Sequence, residues 1–163
     1  MKETSINFSR AARALVALAA LASLPLSLAQ SNRLAVETPA KLAVRRGGVA
    51  EAKLAVHVES GYHVNSNVPT EDYLIPIGLR WEAGPLSAVE VVYPKPEMQK
   101  YEFSEKPLSV FTGDFQILTR FRSEANAAPG PGVLLGKLRY QACSHDTCYR
   151  PVTLEIRLPY EIQ

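Results

Sequence analysis

Two cysteines occur in the 163 residues, Cys143 and Cys148, with Ser144-His145-Asp146-Thr147 between them. Thiols at this spacing can join as a structural bridge, exchange electrons with the thiols of another protein, or help His145 and Asp146 hold a soft metal ion. What must position them is strand-like sequence on both sides. Residues 134–143 are rich in apolar and aromatic side chains, residues 152–160 alternate strictly between apolar and polar, and Ser-His-Asp-Thr reads as a turn. The pattern predicts a β-hairpin with one cysteine at the tip of each strand, close enough to bond to each other. As a staple that bond is weak: closing a loop of about six residues stabilises by roughly 2 kcal/mol on the chain-entropy model, against about 4.7 for a loop of about a hundred. A disulfide near a hairpin tip is also within reach of an external thiol, and exposed disulfides are the labile ones. Spacing alone leaves bridge and exchange both open, because C-x4-C is not a specific motif and the usual redox spacing is C-x-x-C. A metal site is the weakest of the three, since a hairpin turn seldom converges four ligands and no second ligand group stands elsewhere in the sequence.

The chain before the hairpin reads as short strands and turns, without a helix. Residues 41–44 form a first strand ending at Gly47-Gly48, and residues 49–58 follow with Ala52, Leu54, Val56 and Val58 on one face and Lys53 and His57 on the other. Residues 61–76 read as an irregular loop. Ile77, Leu79 and Trp81 alternate, residues 89–93 form another strand, and Phe115, Ile117, Thr119 and Phe121 mark a later one. Residues 127–132 read as a Pro/Gly linker, and Val152, Leu154, Ile156, Leu158 and Tyr160 share a face of the last strand. Seven or eight such strands with turn signals between them indicate an all-β protein, an immunoglobulin-like antiparallel β-sandwich. The twelve prolines fit, since proline in sheets is confined to edges and loops. Residues 98–108 are a polar loop except for Tyr101 and Phe103, and rings in such a loop cover something or wait for a partner.

Residues 1–29 read as a cleavable signal peptide. Lys2, Arg10 and Arg13 make a basic start, residues 14–24 an apolar run, and Ser27-Leu28-Ala29 a small-residue cleavage site before Gln30. The run is shorter than the ~20 residues a bilayer span needs. Neither an adjacent arginine pair nor a cysteine near the cleavage site suggests a twin-arginine signal or a lipid anchor. The mature chain, residues 30–163, is expected as one soluble domain in an oxidising compartment, the periplasm. Removing the leader takes three of 18 basic and one of 16 acidic residues, which leaves no formal net charge and argues against nucleic-acid binding.

Tyr140-Gln141-Ala142-Cys143, four residues, then Cys148-Tyr149-Arg150-Pro151 resembles the active-site hairpin of the N-terminal periplasmic domain of DsbD, the thiol:disulfide interchange protein. Gly61-Tyr62-His63-Val64-Asn65-Ser66-Asn67-Val68-Pro69, Leu74-Ile75-Pro76 and Tyr93-Pro94-Lys95-Pro96 occur in the order that family shows them, and the resemblance runs from about Leu34 to Pro159. It implies a redox-active pair in which Cys148 bonds to partners and Cys143 resolves, with no cofactor or metal. It further implies that residues 98–108 are a cap loop over the disulfide, with Phe103 matched to the shielding ring and Tyr101 beside it. Gln141 and Tyr149 flank the cysteines and line the site. His63 and Asn65 stand where the family's best-known members carry tyrosines. That places an imidazole near the thiols, where its charge would favour thiolate, against the plainer reading of a solvent-facing loop histidine. The positive charge of Arg150 would act on Cys148 in the same sense, and Tyr149 would offer a partner an aromatic surface.

Full-length members of the family continue into a membrane electron conduit and a thioredoxin-like domain, and this chain stops at Gln163 with neither. The expected partners are thus thioredoxin-like periplasmic proteins and a separately encoded membrane conduit. The chain is expected to act as a monomer, in electron transfer such as that of cytochrome c biogenesis or disulfide repair. The competing reading is a non-catalytic binding sandwich whose disulfide is structural.

Overall fold

The computed structural model describes residues 33–163, so the signal-peptide expectation lies outside the described residues. Every regular element among them is a strand: β1 (Leu34–Glu37), β2 (Leu42–Val44), β3 (Val49–Val58), β4 (His63–Asn65), β5 (Gly78–Trp81), β6 (Leu86–Val92), β7 (Glu97–Gln99), β8 (Leu108–Phe111), β9 (Asp114–Ser123), β10 (Gly130–Tyr140), β11 (Ala142–Cys143) and β12 (Val152–Ile162). They form three four-stranded sheets, ordered β1-β3-β9-β6, β2-β12-β10-β5 and β11-β4-β8-β7.

The first two sheets enclose the core, and period-two alternation decides which face each presents. Leu54, Val56 and Val58 of β3 and Ile117, Thr119 and Phe121 of β9 point inward, as do Leu134, Leu138 and Tyr140 of β10 and Ile156 and Leu158 of β12. Burying a side chain of this size stabilises by about 1.5–3 kcal/mol, and these residues supply most of the driving force for the fold. Trp81 ties the layers together, donating from Nε1 to Thr119 Oγ1 at 3.1 Å and meeting the Phe121 ring edge-on at 5.1 Å. Its indole lies over its cross-strand partner Gly136, where a Cβ would stand 2.7 Å from Trp81 Cε3. Only glycine leaves room for the ring there.

The all-β sandwich is thus as expected, with departures of detail. β1 precedes the first expected strand, and β2 pairs with β12 in parallel, an exception to the antiparallel rule. The expected loop 61–76 contains β4, buried on both faces. The expected linker 127–132 already enters β10 at Gly130, where pairing with Ile162 begins. The expected loop 98–108 is framed by β7 and β8, which pair with each other. These short strands build the third sheet, at the end of the sandwich that holds the cysteines. A second small core of Leu74, Tyr101, Leu108 and Val110, with Phe103 packed against it, lies there.

Candidate redox site

β10 and β12 pair along their full length, from Gly130↔Ile162 to Tyr140↔Val152, and the ladder stops one residue before Gln141. The chain then crosses to the third sheet, where Ala142 pairs with Val64 and Cys143 with His63. The cysteines therefore do not sit at the tips of the two ladder strands, as the hairpin pattern predicted. Gln141 holds the crossing. Its Oε1 accepts from Ile75 N and from Asn65 Nδ2, each at 3.2 Å, and its Nε2 donates to Tyr149 O at 3.1 Å. Asn65 Nδ2 also donates to Ile75 O at 3.1 Å. One amide thus fixes the segments before and after the cysteines to the loop behind them, and Asn65, fully buried, is part of that frame rather than of a surface lining.

Beyond Gln141 the loop closes on itself. Tyr149 N donates to Ala142 O at 2.9 Å and Ser144 N to Thr147 O at 2.8 Å, while Ser144 Oγ accepts from Thr147 N. This brings Cys143 and Cys148 into direct pairing, and their sulfurs are bonded. The two sulfur-bearing residues differ in access. Cys143 is 0% exposed, whereas Cys148 is partly exposed and borders a groove of about 260 Å³ lined also by Tyr73, Leu74, Phe103 and Thr147.

Aromatic side chains stack over His63, the cross-strand partner of Cys143. The Tyr101 ring stacks on His63 with centroids 3.9 Å apart, and Phe103 stacks on Tyr101 at 5.6 Å. Tyr101 is the more deeply placed of the two and Phe103 the outer ring beside the Cys148 groove. Residues 100–107 are tied internally: Lys100 Nζ donates to the carbonyls of Ser104 and Glu105, Ser104 Oγ to Lys106 O, and Tyr101 O–H to Gln99 Oε1. Burial, with Glu97 nearby adding to it, pushes the Tyr101 phenol up to about 12, so it stays protonated and donating.

His63 is only 2% exposed, and desolvation lowers its pKa to about 4. It is neutral at ordinary pH. This corrects both sequence readings of it: His63 faces no solvent, and it carries no charge with which to favour thiolate. A second cation, besides the expected Arg150, stands at the loop. Arg150 is exposed, while Arg33 lays its guanidinium 3.6 Å from the centroid of the Tyr149 ring and 5.1 Å from that of Tyr62, two rings that themselves meet at 5.9 Å. Sequence reasoning missed Arg33, because 116 positions separate it from Tyr149. Tyr73, 63% exposed at the groove, was missed too, although an aromatic in a polar stretch is the signal that singled out Tyr101 and Phe103.

His145 and Asp146 lie exposed in the turn between the cysteines. His145 Nδ1 lies 3.0 Å from Asp146 Oδ1, a contact that raises the imidazole pKa, and both approach Glu102 on the exposed surface.

The profile of one protein family, described as the N-terminal region of the thiol:disulfide interchange protein DsbD, matches residues 30–159. No curated protein sequence matches the chain. Among solved structures, the N-terminal periplasmic domain of ScsB from Proteus mirabilis is 12% identical with a TM-score of 0.56, over 83% of this chain and 49% of that one. The chain thus spans about half the length of that structure, and the likeness concerns the fold. A cohesin module of a Clostridium perfringens family 33 glycoside hydrolase is 7% identical with a TM-score of 0.43, over 80% of this chain and 97% of that one. A β-sandwich with a bonded cysteine pair at one end, lying within a family match that covers the sandwich, leads to one conclusion: the chain belongs to the DsbD N-terminal family of thiol:disulfide exchange domains.

Proposed function

We propose that this chain is an exported, periplasmic thiol:disulfide exchange module, acting as a monomer, that accepts electrons from a thioredoxin-like donor and reduces oxidised partner proteins through Cys143 and Cys148. The observation that carries the reading is the unequal access of the two cysteines, one fully buried and one at the edge of a groove. A donor thiolate attacks Cys148 Sγ, the S–S bond breaks, and Cys143 leaves as the thiolate and takes a proton. The donor's second thiol then attacks its own sulfur in the mixed disulfide, so the donor departs oxidised and both cysteines are left as thiols. Toward an oxidised partner the steps reverse: Cys148 attacks, and Cys143 displaces the reduced partner. Two electrons and two protons move in each direction, and the exchange itself calls for no cofactor or metal.

On this reading Phe103 and Tyr101 are the cap, Tyr149 and Tyr73 offer partners apolar surface beside Cys148, and a membrane electron conduit replenishes the donor. The leader read at residues 1–29 supports export, and the short loop closed by the disulfide supports exchange over stapling. Trapping tests it. Cys143→Ser is expected to accumulate a mixed disulfide between Cys148 and a thioredoxin-like protein, and Cys148→Ser is expected not to. The opposite pattern reverses the two roles, and trapping by neither leaves the bond as a structural bridge.

A further inference from the structure

His63 is a buried imidazole with an unused nitrogen. It pairs with Cys143 across the antiparallel β4–β11 register, which puts the two side chains on the same face with Cβ atoms roughly 4.5–5.5 Å apart. The Tyr101 ring seals it from above at 3.9 Å. Its Nε2 is buried and has no hydrogen-bond partner among the described residues. A buried polar atom left in that condition is costly unless a neighbour satisfies it in another state of the protein. The disulfide cannot serve it well, because a bonded sulfur carries no proton and accepts only weakly. A reduced Cys143 could, since a thiol donates and a thiolate accepts. Cys143 in turn is 0% exposed, so once its bond to Cys148 is broken its sulfur must find a partner inside the protein. Asn65, the other polar side chain on this face of β4, gives its amide protons to Ile75 O and Gln141 Oε1; its Oδ1 is also without a partner among the described residues, but the register sets His63, not Asn65, opposite Cys143.

We propose that His63 Nε2 is the hydrogen-bond partner of the Cys143 sulfur in the reduced protein, and that this bond, absent while the disulfide is intact, favours the dithiol state. Reduction converts two thiols of the reductant into one disulfide and the protein's S–S bond into two thiols. One of the two protons delivered then lies between Cys143 Sγ and His63 Nε2. The neutral state of His63 suits the role, because a neutral imidazole can meet the sulfur as donor or as acceptor. His63 is thus a positioning residue that sets the potential of the pair. The inference rests on the exchange reading only in treating the dithiol as a working state.

The test is redox equilibration of the purified protein against mixtures of reduced and oxidised dithiothreitol, for the wild type and for His63→Phe, which keeps a ring under Tyr101 and removes both nitrogens. His63→Phe relieves the orphaned atom of the oxidised form and deletes the bond of the reduced one, and both changes disfavour reduction. The expected result is an equilibrium constant for reduction about tenfold lower, a potential ~30 mV more negative. Nitrogen-15 spectra of the wild-type histidines supply a second measurement: the Nε2 resonance of His63 should move when the disulfide is reduced. Equal potentials for the two proteins, or an Nε2 resonance indifferent to reduction, would overturn the proposal, and if His63→Phe does not fold the resonance decides alone. Dithiothreitol needs no protein partner. Equal potentials beside successful partner trapping therefore sink this inference alone, while failed trapping beside a tenfold difference sinks the exchange reading alone.

Discussion

Replacing Phe103 with alanine removes the outer ring of the Tyr101–Phe103 stack and should separate the proposed covering role from core packing. Phe103 sits 5.6 Å from Tyr101 and borders the groove at Cys148, but it is only partly buried. Truncating a fully buried phenylalanine costs about 3–5 kcal/mol, so a half-buried one should cost about 2. If Phe103 covers the bond as proposed, the stack holds that cover closed by roughly 0.5–1.5 kcal/mol. At about 1.4 kcal/mol per factor of ten, losing it raises the fraction of open cap by about 2- to 10-fold. Reduction by dithiothreitol, followed under pseudo-first-order conditions by quenching and alkylating the freed thiols, should speed up by that factor. A urea titration of the same variant should show the moderate stability loss. Tyr101→Ala, which empties a site in the small core, should cost the full 3–5 kcal/mol or so by comparison. An unchanged reduction rate for Phe103→Ala would refute the covering role, and a stability loss equal to that of Tyr101→Ala would make Phe103 a core residue instead.

The His63 imidazole, lowered from 6.5 to about 4 by burial, makes stability depend on pH. The unfolded chain binds a proton below its ordinary pKa that the folded chain refuses, so this contribution is intact above pH 6.5 and is lost as pH falls toward 4, by roughly 3 kcal/mol in all. Urea titrations across that window should show the loss in the wild type and not in His63→Phe, measured as the difference between the two so that other histidines cancel. Gln141→Ala leaves Ile75 N and Tyr149 O without their side-chain partner and takes one of two partners from Asn65 Nδ2, which keeps Ile75 O; at about 1–3 kcal/mol for each group left unsatisfied, a loss of about 3 kcal/mol is expected by chemical denaturation. Arg33→Met should cost about 1 kcal/mol by removing the cation from the Tyr149 face, and Arg33→Lys should restore only part of it, since an ammonium cannot stack as a guanidinium does.

How much of this was legible in the sequence depends on the range of the interaction that decided it. Alternation is a local property, so the inward faces of β3, β9 and β12 stood in the residue order: Ala52 to Val58 and Ile117 to Phe121 lie buried where period two put them. The cysteine spacing likewise implied a closed loop, and two rings in a polar stretch marked side chains that pack, as Tyr101 and Phe103 do in the small core. β4 was not legible, because a three-residue strand buried on both faces shows no alternation and lies among glycine and proline signals. Nor was the parallel pairing of β2 with β12, nor the switch of partner at Gln141 that takes Cys143 off the hairpin and sets it against His63. Those are contacts between segments far apart in the chain, chosen by which edges the closed sandwich leaves open for pairing. The state of His63 is the clearest case. Its residue type announced a titratable group, but whether that group meets water or the underside of Tyr101 was decided by the fold, and burial there makes it a neutral ring beside a buried sulfur.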